Sequence, residues 1–205
     1  MTDPLVWAIQ LQAIAQAGKA YTKDPYDLER FGQIEAISQQ MLAELSHEPL
    51  AKIQNLFIPE TGYPTPKVDL RAGVIREYRI LLVREREDDC WTLPGGWADV
   101  CETPSEGIVR EVMEESGLLV GNPRLVAIKD RAAHPYQPAY PYHIYKLFFL
   151  CDYISGDPSE NLEISEVAFF DRHSIPPLSL SRVLAEDIAM MFCHDDDIRL
   201  PVRTD

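Results

Sequence analysis

An α/β domain preceded by a small all-helical domain is the fold class that this sequence predicts, and three observations carry it. Before residue 65, apolar residues recur at helical spacing. After it, short apolar runs of strand length alternate with amphipathic helical stretches. Between them Pro59, Gly62, Pro64 and Pro66 interrupt both patterns. We place the boundary there, giving a helical domain over residues 1–65 and an α/β domain over residues 66–205.

The first helix is expected over residues 3–17, with Asp3 as cap, Pro4 at its opening and Gly18 as its stop. Asp24 and Pro25 start a second helix, in which Leu28, Phe31, Ile34, Met41 and Leu45 keep helical spacing. A short third helix carries Leu50, Ile53 and Leu56. A leader of about 60 residues buries too little apolar surface to stand confidently alone. It is therefore expected to pack on the α/β domain or on a partner chain. Trp7, Tyr21, Tyr26 and Phe31 then read as core or interface residues rather than as a base-stacking platform.

In the α/β domain, residues 68–75 and 79–84 read as a hairpin around Arg76, Glu77 and Tyr78. Residues 91–93 form a short strand. Thr103, Pro104 and Glu106 make a strong helix start, because Thr103 caps, Pro104 suits the first position and Glu106 completes a capping box. Gly117 is its natural stop, so the helix runs over residues 104–116. Further strands are expected at 123–131, 143–153 and 166–171. A closing helix over 181–192 turns Leu184, Ile188, Met191 and Phe192 to one face. From His194 onward the acidic tail reads as a frayed end.

The helix at 104–116 carries the chemistry. At about 100° per residue, Ile108, Val109, Val112, Met113 and Ser116 share a core-facing side. Glu111 and Glu115 stack along one edge of it, and Glu114 lies one step further around. Like charges at this spacing repel, and the cost grows beside a core. A hard divalent cation reverses the sign, because it favours carboxylate oxygens. The segment therefore reads as a divalent-metal site for phosphate chemistry. A solvated acidic helix face is the bland alternative, but it leaves Gly96, Gly117, the capping box, Arg110 and the isolated Glu102 unexplained.

The positions Gly96, Glu102, Arg110, Glu111, Val112, Glu114, Glu115, Gly117 and Leu118 resemble the Nudix box at every defining position, and residues 91–96 resemble its usual lead-in. The resemblance implies an α/β/α sandwich around a mixed sheet. It also implies hydrolysis of a nucleoside diphosphate linked to another moiety, with Mg²⁺ or Mn²⁺ as cofactor. Carried over residue by residue, Glu111, Glu114 and Glu115 are the metal-binding carboxylates, with Gly96 offering a carbonyl. Arg110 orients the glutamates, and Glu102 joins the outer metal shell or braces the loop. Trp7, residues 11–16, Tyr21 and residues 24–31 resemble the helical leader of a Nudix subgroup acting on X-linked nucleoside diphosphates, including ADP-ribose and CDP-choline. That resemblance implies a homodimer.

Outside the box the expectations rest on position. Arg71, Lys129 and Arg131 are candidate phosphate contacts. The segment 134–143, rich in proline, tyrosine and histidine, reads as a substrate-side loop in which Tyr136 and Tyr140 hold a base or ribose. The general base is a box glutamate or, as in related enzymes, a loop residue. Glu160, Glu163 and Glu166 lie in such a loop, with Glu163 the first choice.

Composition excludes several classes. The net charge of −14 over 205 residues disfavours long nucleic acid and anionic membrane as partners. No apolar run approaches membrane-spanning length and no signal segment is evident, so a cytoplasmic location is expected. The four cysteines, Cys90, Cys101, Cys151 and Cys193, lack zinc or CxxC spacing and read as reduced thiols. Two other functions share the scaffold: sanitation of nucleoside triphosphates and non-catalytic nucleotide sensing.

Overall fold

The computed structural model describes residues 4–57 and 62–205. The calls on Asp3 and Pro59 lie outside them. The chain divides into two compact units, one comprising residues 1–66 with 138–143, the other residues 67–137 with 144–205.

The first unit holds α1 (Pro4–Tyr21), α2 (Pro25–Ser46) and α3 (Leu50–Phe57). Asp24 caps α2 by accepting the N–H groups of Tyr26 and Asp27 at 2.8 and 3.1 Å. Leu5, Ala8, Leu42 and Ile53 form its small core. Gly18 does not stop α1, contrary to expectation. It is a contact point, because a Cβ there would come within 2.4 Å of the Phe31 ring on α2. Trp7, Ile14, Tyr21 and Tyr26 are all more than half exposed and form no core.

The second unit contains β1 (Lys67–Arg76), β2 (Arg79–Glu85), β3 (Trp91–Thr92), α4 (Pro104–Ser116), β4 (Leu119–Asp130), β5 (Ile144–Ser155), β6 (Ile164–Asp171), α5 (Ala185–Asp196) and β7 (Arg203–Thr204). The sheet is mixed and runs β3-β2-β1-β5-β4-β7, with β6 on β2. Strands β1 and β5 are parallel, as are β4 and β7. The hairpin turn puts Glu77 and Tyr78 at φ 51° and 62°, the left-handed geometry that two-residue turns require.

Alternation along the strands divides the core into two layers. Leu70, Ala72 and Val74 pack with Ile108 and Val112 of α4. Ile80, Leu82 and Phe148 pack with Ile188, Met191 and Phe192 of α5. The helices thus cover opposite faces. Met113 is exposed rather than core-facing. Helix α5 starts at Ala185, later than the spacing predicts, because Asp187 turns back to accept the Leu184 N–H at 2.8 Å. The tail is not frayed either. His194 is buried within α5, Arg124 holds its carbonyl at 2.7 Å, and the chain goes on to add β7 beside β4. Among the described residues no helix is long and apolar enough to cross a membrane.

Candidate active site

The site begins with the connection after β3. Strand β1 pairs with β5 on one side and, on the other, with this connection: Leu70 N–H donates to the Gly96 carbonyl at 2.8 Å and Ala72 N–H to the Pro94 carbonyl at 2.9 Å. Gly95 adopts φ 139°, and a Cβ on it would fall 2.0 Å from the Leu70 carbonyl oxygen. Only glycine permits that approach. A Cβ on Gly96 would meet the Glu111 carboxylate at 3.0 Å. The two glycines thereby let helix α4 lay its acidic edge against the sheet margin.

Helix α4 is built as the sequence predicts. Thr103 and Glu106 form the reciprocal capping box, and Gly117 ends the helix at φ 75°. Ile108 and Val112 anchor one face in the core, which fixes the rotation that brings Glu111 and Glu115 to its edge. Arg110 is the only cation bonded to the loop and helix acids here, among the described residues. It lies 3.0 Å from Glu102, 3.0 Å from Glu111, 2.9 Å from Glu114 and 3.4 Å from Asp99. Glu102 holds the guanidinium by two contacts from Nε and one from Nη2. The Glu102 hydrogen bond leads in raising the Arg110 pKa, so this side chain stays charged.

Glu115 receives no such partner. Its carboxylate accepts the Gly95 N–H at 2.9 Å. Burial pushes its pKa up to about 8, against the pull of the Arg71 charge and that hydrogen bond. Glu111 is also raised, by burial first and against Arg110. The arrangement is therefore half-buried, anionic and short of positive charge.

The other predicted residues are held by partners within the protein. Asp69 on β1, Lys146 on β5 and Lys129 on β4 are successive cross-strand neighbours on the α5 face. Asp69 bonds both Arg71 and Lys146. Lys129 bonds Asp187 at 2.7 Å and Glu186 at 3.1 Å. Tyr136 is buried and donates its hydroxyl to Asp187 at 2.7 Å. Arg131 is buried, with its guanidinium over the Tyr136 ring at 5.5 Å. Arg71 Nη1 donates to the Leu93 carbonyl at 3.1 Å. Arg71, Lys129, Arg131 and Tyr136 are thus buried and bonded within the protein, with the Arg71 charge also acting on Glu115. Burial alone would raise the Asp69 carboxyl, but the Arg71 and Lys146 charges outweigh it and hold it below its ordinary value. Tyr140, half-buried against Tyr142 at 5.2 Å, groups with the helical unit.

Glu163 is exposed, and its backbone N–H bonds the Asn161 side chain at 2.8 Å. Its charge is felt by Glu85, a residue the sequence reasoning missed. Glu85 closes β2, is nearly buried, and pairs with Arg182 at 3.1 Å. The one available signal was a charged residue at the end of an apolar strand. The acidic run Glu85, Glu87, Asp88 and Asp89 disguises it as a solvated turn.

A family model described as the NUDIX domain matches residues 67–188. The chain belongs to the Nudix family. A second model, described as a UDP-X-like N-terminal oligomerisation domain, matches residues 2–57. A Bacillus subtilis protein provisionally named an ADP-ribose pyrophosphatase is 42% identical over 90% of this chain and 88% of its own. A solved UDP-X diphosphatase is 30% identical, covering 98% of this chain and 97% of its own, with a TM-score of 0.64. An ADP-ribose pyrophosphatase structure from Streptococcus suis is 37% identical over 69% of this chain and all of its own, with a TM-score of 0.63. The protein is a Nudix pyrophosphohydrolase by this kinship.

The Nudix family implies a divalent cation, and the donor set fits one. It is all oxygen, as Mg²⁺ and Mn²⁺ favour, and two of its carboxyls are raised by burial that a cation would offset. Among the described residues no three acidic, histidine or cysteine side chains converge closely enough to hold an ion as they stand. The hydrogen bonds explain why: Arg110 holds Glu111 and Glu114, while Gly95 holds Glu115.

Proposed function

We propose that this Nudix protein hydrolyses the pyrophosphate bond of a nucleoside diphosphate linked to a second moiety, releasing a nucleoside monophosphate and a phosphorylated second moiety. One observation carries the reading: among the described residues Glu102, Glu111 and Glu114 share a single arginine, and Glu115 has none within bonding distance. ADP-ribose is the first substrate to test, because two of the similar proteins are named for it. UDP-linked and CDP-choline-type diphosphates come next.

Glu111, Glu114 and Glu115 would hold Mg²⁺ or Mn²⁺, with the Gly96 carbonyl at the margin. Such an ion neutralises phosphate oxygens and makes a bound water more acidic. The chain supplies the rest. Arg110 orients Glu111 and Glu114 and is itself braced by Glu102. The Gly95 N–H fixes Glu115. Glu163, on its exposed loop, is the candidate to accept the proton of the attacking water. Positioning and electrostatics of this kind are what phosphoryl transfer chiefly requires.

The helical unit fits an association role. Trp7, Leu11, Ile14 and Tyr21 lie on one side of α1 at heptad-like spacing and are exposed. We read this stripe as the face that joins two copies into a homodimer. Trp7→Glu with Ile14→Glu then yields a monomer by light scattering; an unchanged mass would remove the stripe from the interface.

A substrate panel tests the activity: ADP-ribose, UDP-glucose, CDP-choline, NADH and the nucleoside triphosphates, each with Mg²⁺ and with Mn²⁺. Monophosphate release from a linked diphosphate, lost in Glu115→Gln, supports the reading. Preference for triphosphates would replace it with nucleotide sanitation.

A further inference from the structure

The loop between β5 and β6, residues 156–163, is tied to the end of the box helix. The last turn of an α-helix leaves carbonyls without partners inside the helix. In α4 two of these are met from the loop. Ser159 N–H donates to the Ser116 carbonyl at 2.9 Å, and Asn161 Nδ2 donates to the Glu114 carbonyl at 2.6 Å. The other half of the Asn161 amide faces its own loop. Its Oδ1 accepts the backbone N–H groups of Glu163 and Ile164, both at 2.8 Å, the turn that asparagine makes with the residues just after it. Arg86, just past β2, closes the turn from the other side. Its N–H donates to the Glu163 carbonyl at 2.8 Å and its Nε to the Asn161 carbonyl at 3.3 Å. Glu163 is therefore held at both of its backbone polar groups while it stays exposed.

A side chain that caps a helix end is ordinarily architecture. Asn161 differs in what it joins. Its donor sits on the backbone of Glu114, inside the run that carries Glu111 and Glu115, and its acceptor holds the backbone of Glu163. One planar amide, about as short as a side chain with both functions can be, spans the two. Aspartate at this position would keep the acceptor and lose the donor; alanine would lose both.

We propose that Asn161 is a positioning residue for the hydrolysis: it clamps Glu163 to the helix that carries Glu111, Glu114 and Glu115, and so fixes the proton acceptor relative to the box carboxylates. The proposal rests on the reading that Glu163 accepts the proton of the attacking water. Misplacing such a group by about 1 Å costs up to about 10²-fold in rate.

The test is a double-mutant cycle in steady-state kinetics on the linked diphosphate that the substrate panel selects. It uses Asn161→Ala, Asn161→Asp, Glu163→Gln and Asn161→Ala combined with Glu163→Gln, with Mn²⁺ affinity and melting in EDTA read on each. We expect Glu163→Gln to lower kcat on the order of 10²-fold or more. Asn161→Ala and Asn161→Asp should each lower kcat about tenfold or more, with KM within about twofold of the wild type. Mn²⁺ affinity should hold in Asn161→Ala. In the Glu163→Gln background, Asn161→Ala should change kcat by less than about twofold, because the group that it positions is gone. A loss of equal size in both backgrounds overturns the proposal, since Asn161 would then act on something other than Glu163. Wild-type kcat in Asn161→Asp, which keeps the turn without the tie to α4, overturns it too. So does weakened Mn²⁺ binding in Asn161→Ala, which would put the effect in the box helix. In all three cases a low kcat in Glu163→Gln leaves the reading of Glu163 intact. Wild-type kcat in Glu163→Gln removes that reading and the proposal with it.

Discussion

Charge is concentrated at two places in the α/β unit, and they are built in opposite ways. On the α5 face of the sheet, Arg71, Lys129 and Lys146 meet Asp69, Asp187 and Glu186, three cations against three anions. At the edge of α4, Glu102, Glu111, Glu114 and Asp99 crowd one cation, Arg110, and Glu115 stands apart with a backbone N–H. The first set is balanced and almost entirely interior. The second is half-buried and carries an excess of negative charge. Buried charge that is complete in place is architecture. Charge left incomplete at a sheet margin is a request for something the chain does not provide, and that difference separates site from scaffold here.

The largest effect should come from the incomplete set. Glu115→Gln keeps shape and removes one ligand charge, so the catalytic rate should fall on the order of 10²–10³-fold, as for other preorganised electrostatic groups. Steady-state kinetics on whichever diphosphate the panel selects would measure it. A loss under tenfold would mean that Glu115 is no ligand. The balanced set should behave in reverse. Asp187→Asn leaves Lys129 only the exposed Glu186 as a charged partner, and breaking a buried pair costs up to about 3–5 kcal/mol. Urea unfolding reads this directly, while activity per folded molecule should hold. A large drop in activity with unchanged stability would erase the distinction between the two regions.

The next difference is in pH dependence. Glu115 in the folded chain titrates at about 8, above its ordinary value of 4.5. The folded state therefore holds a proton that the unfolded chain has released between those values. Its contribution to stability is complete below 4.5 and is lost as pH rises through about 8, at up to about 1.4 kcal/mol per pH unit. In EDTA, stability should fall over this window in the wild type and less steeply in Glu115→Gln. Identical slopes in the two proteins would contradict the assignment. Smallest of all, Thr103→Ala removes the α4 cap and should cost about 1 kcal/mol without altering cation affinity.

How legible each region was in the sequence follows from the same contrast. The box helix was legible, Met113 apart, because it is local: cap, stop and carboxylates lie within one helix and its loop, and helical geometry alone brings Glu111 and Glu115 to one edge. The balanced network was not legible. Lys129, Lys146 and Asp69 become neighbours only through the register of β4, β5 and β1, and no local pattern encodes a register between strands so far apart. Arg71, Lys129 and Arg131 read from the sequence as phosphate contacts, and their burial becomes visible only in the fold. Gly18 misled for a similar reason, since a glycine needed for the approach of Phe31 looks like a helix stop until the second helix is in place. Glu85 was missed because its partner, Arg182, lies far along the chain rather than among its flanking residues.

On the proposed reading a divalent cation completes the unbalanced edge of α4. Thermal melting at pH 7.5, with and without Mn²⁺, tests it most directly. At about a hundred times the dissociation constant, binding adds about 2.7 kcal/mol, which raises the Tm by roughly 5–10 °C for a chain of this size. That shift is expected in the wild type and in Asp187→Asn, and should be lost in Glu115→Gln. No shift in the wild type, or an undiminished shift in Glu115→Gln, would contradict it.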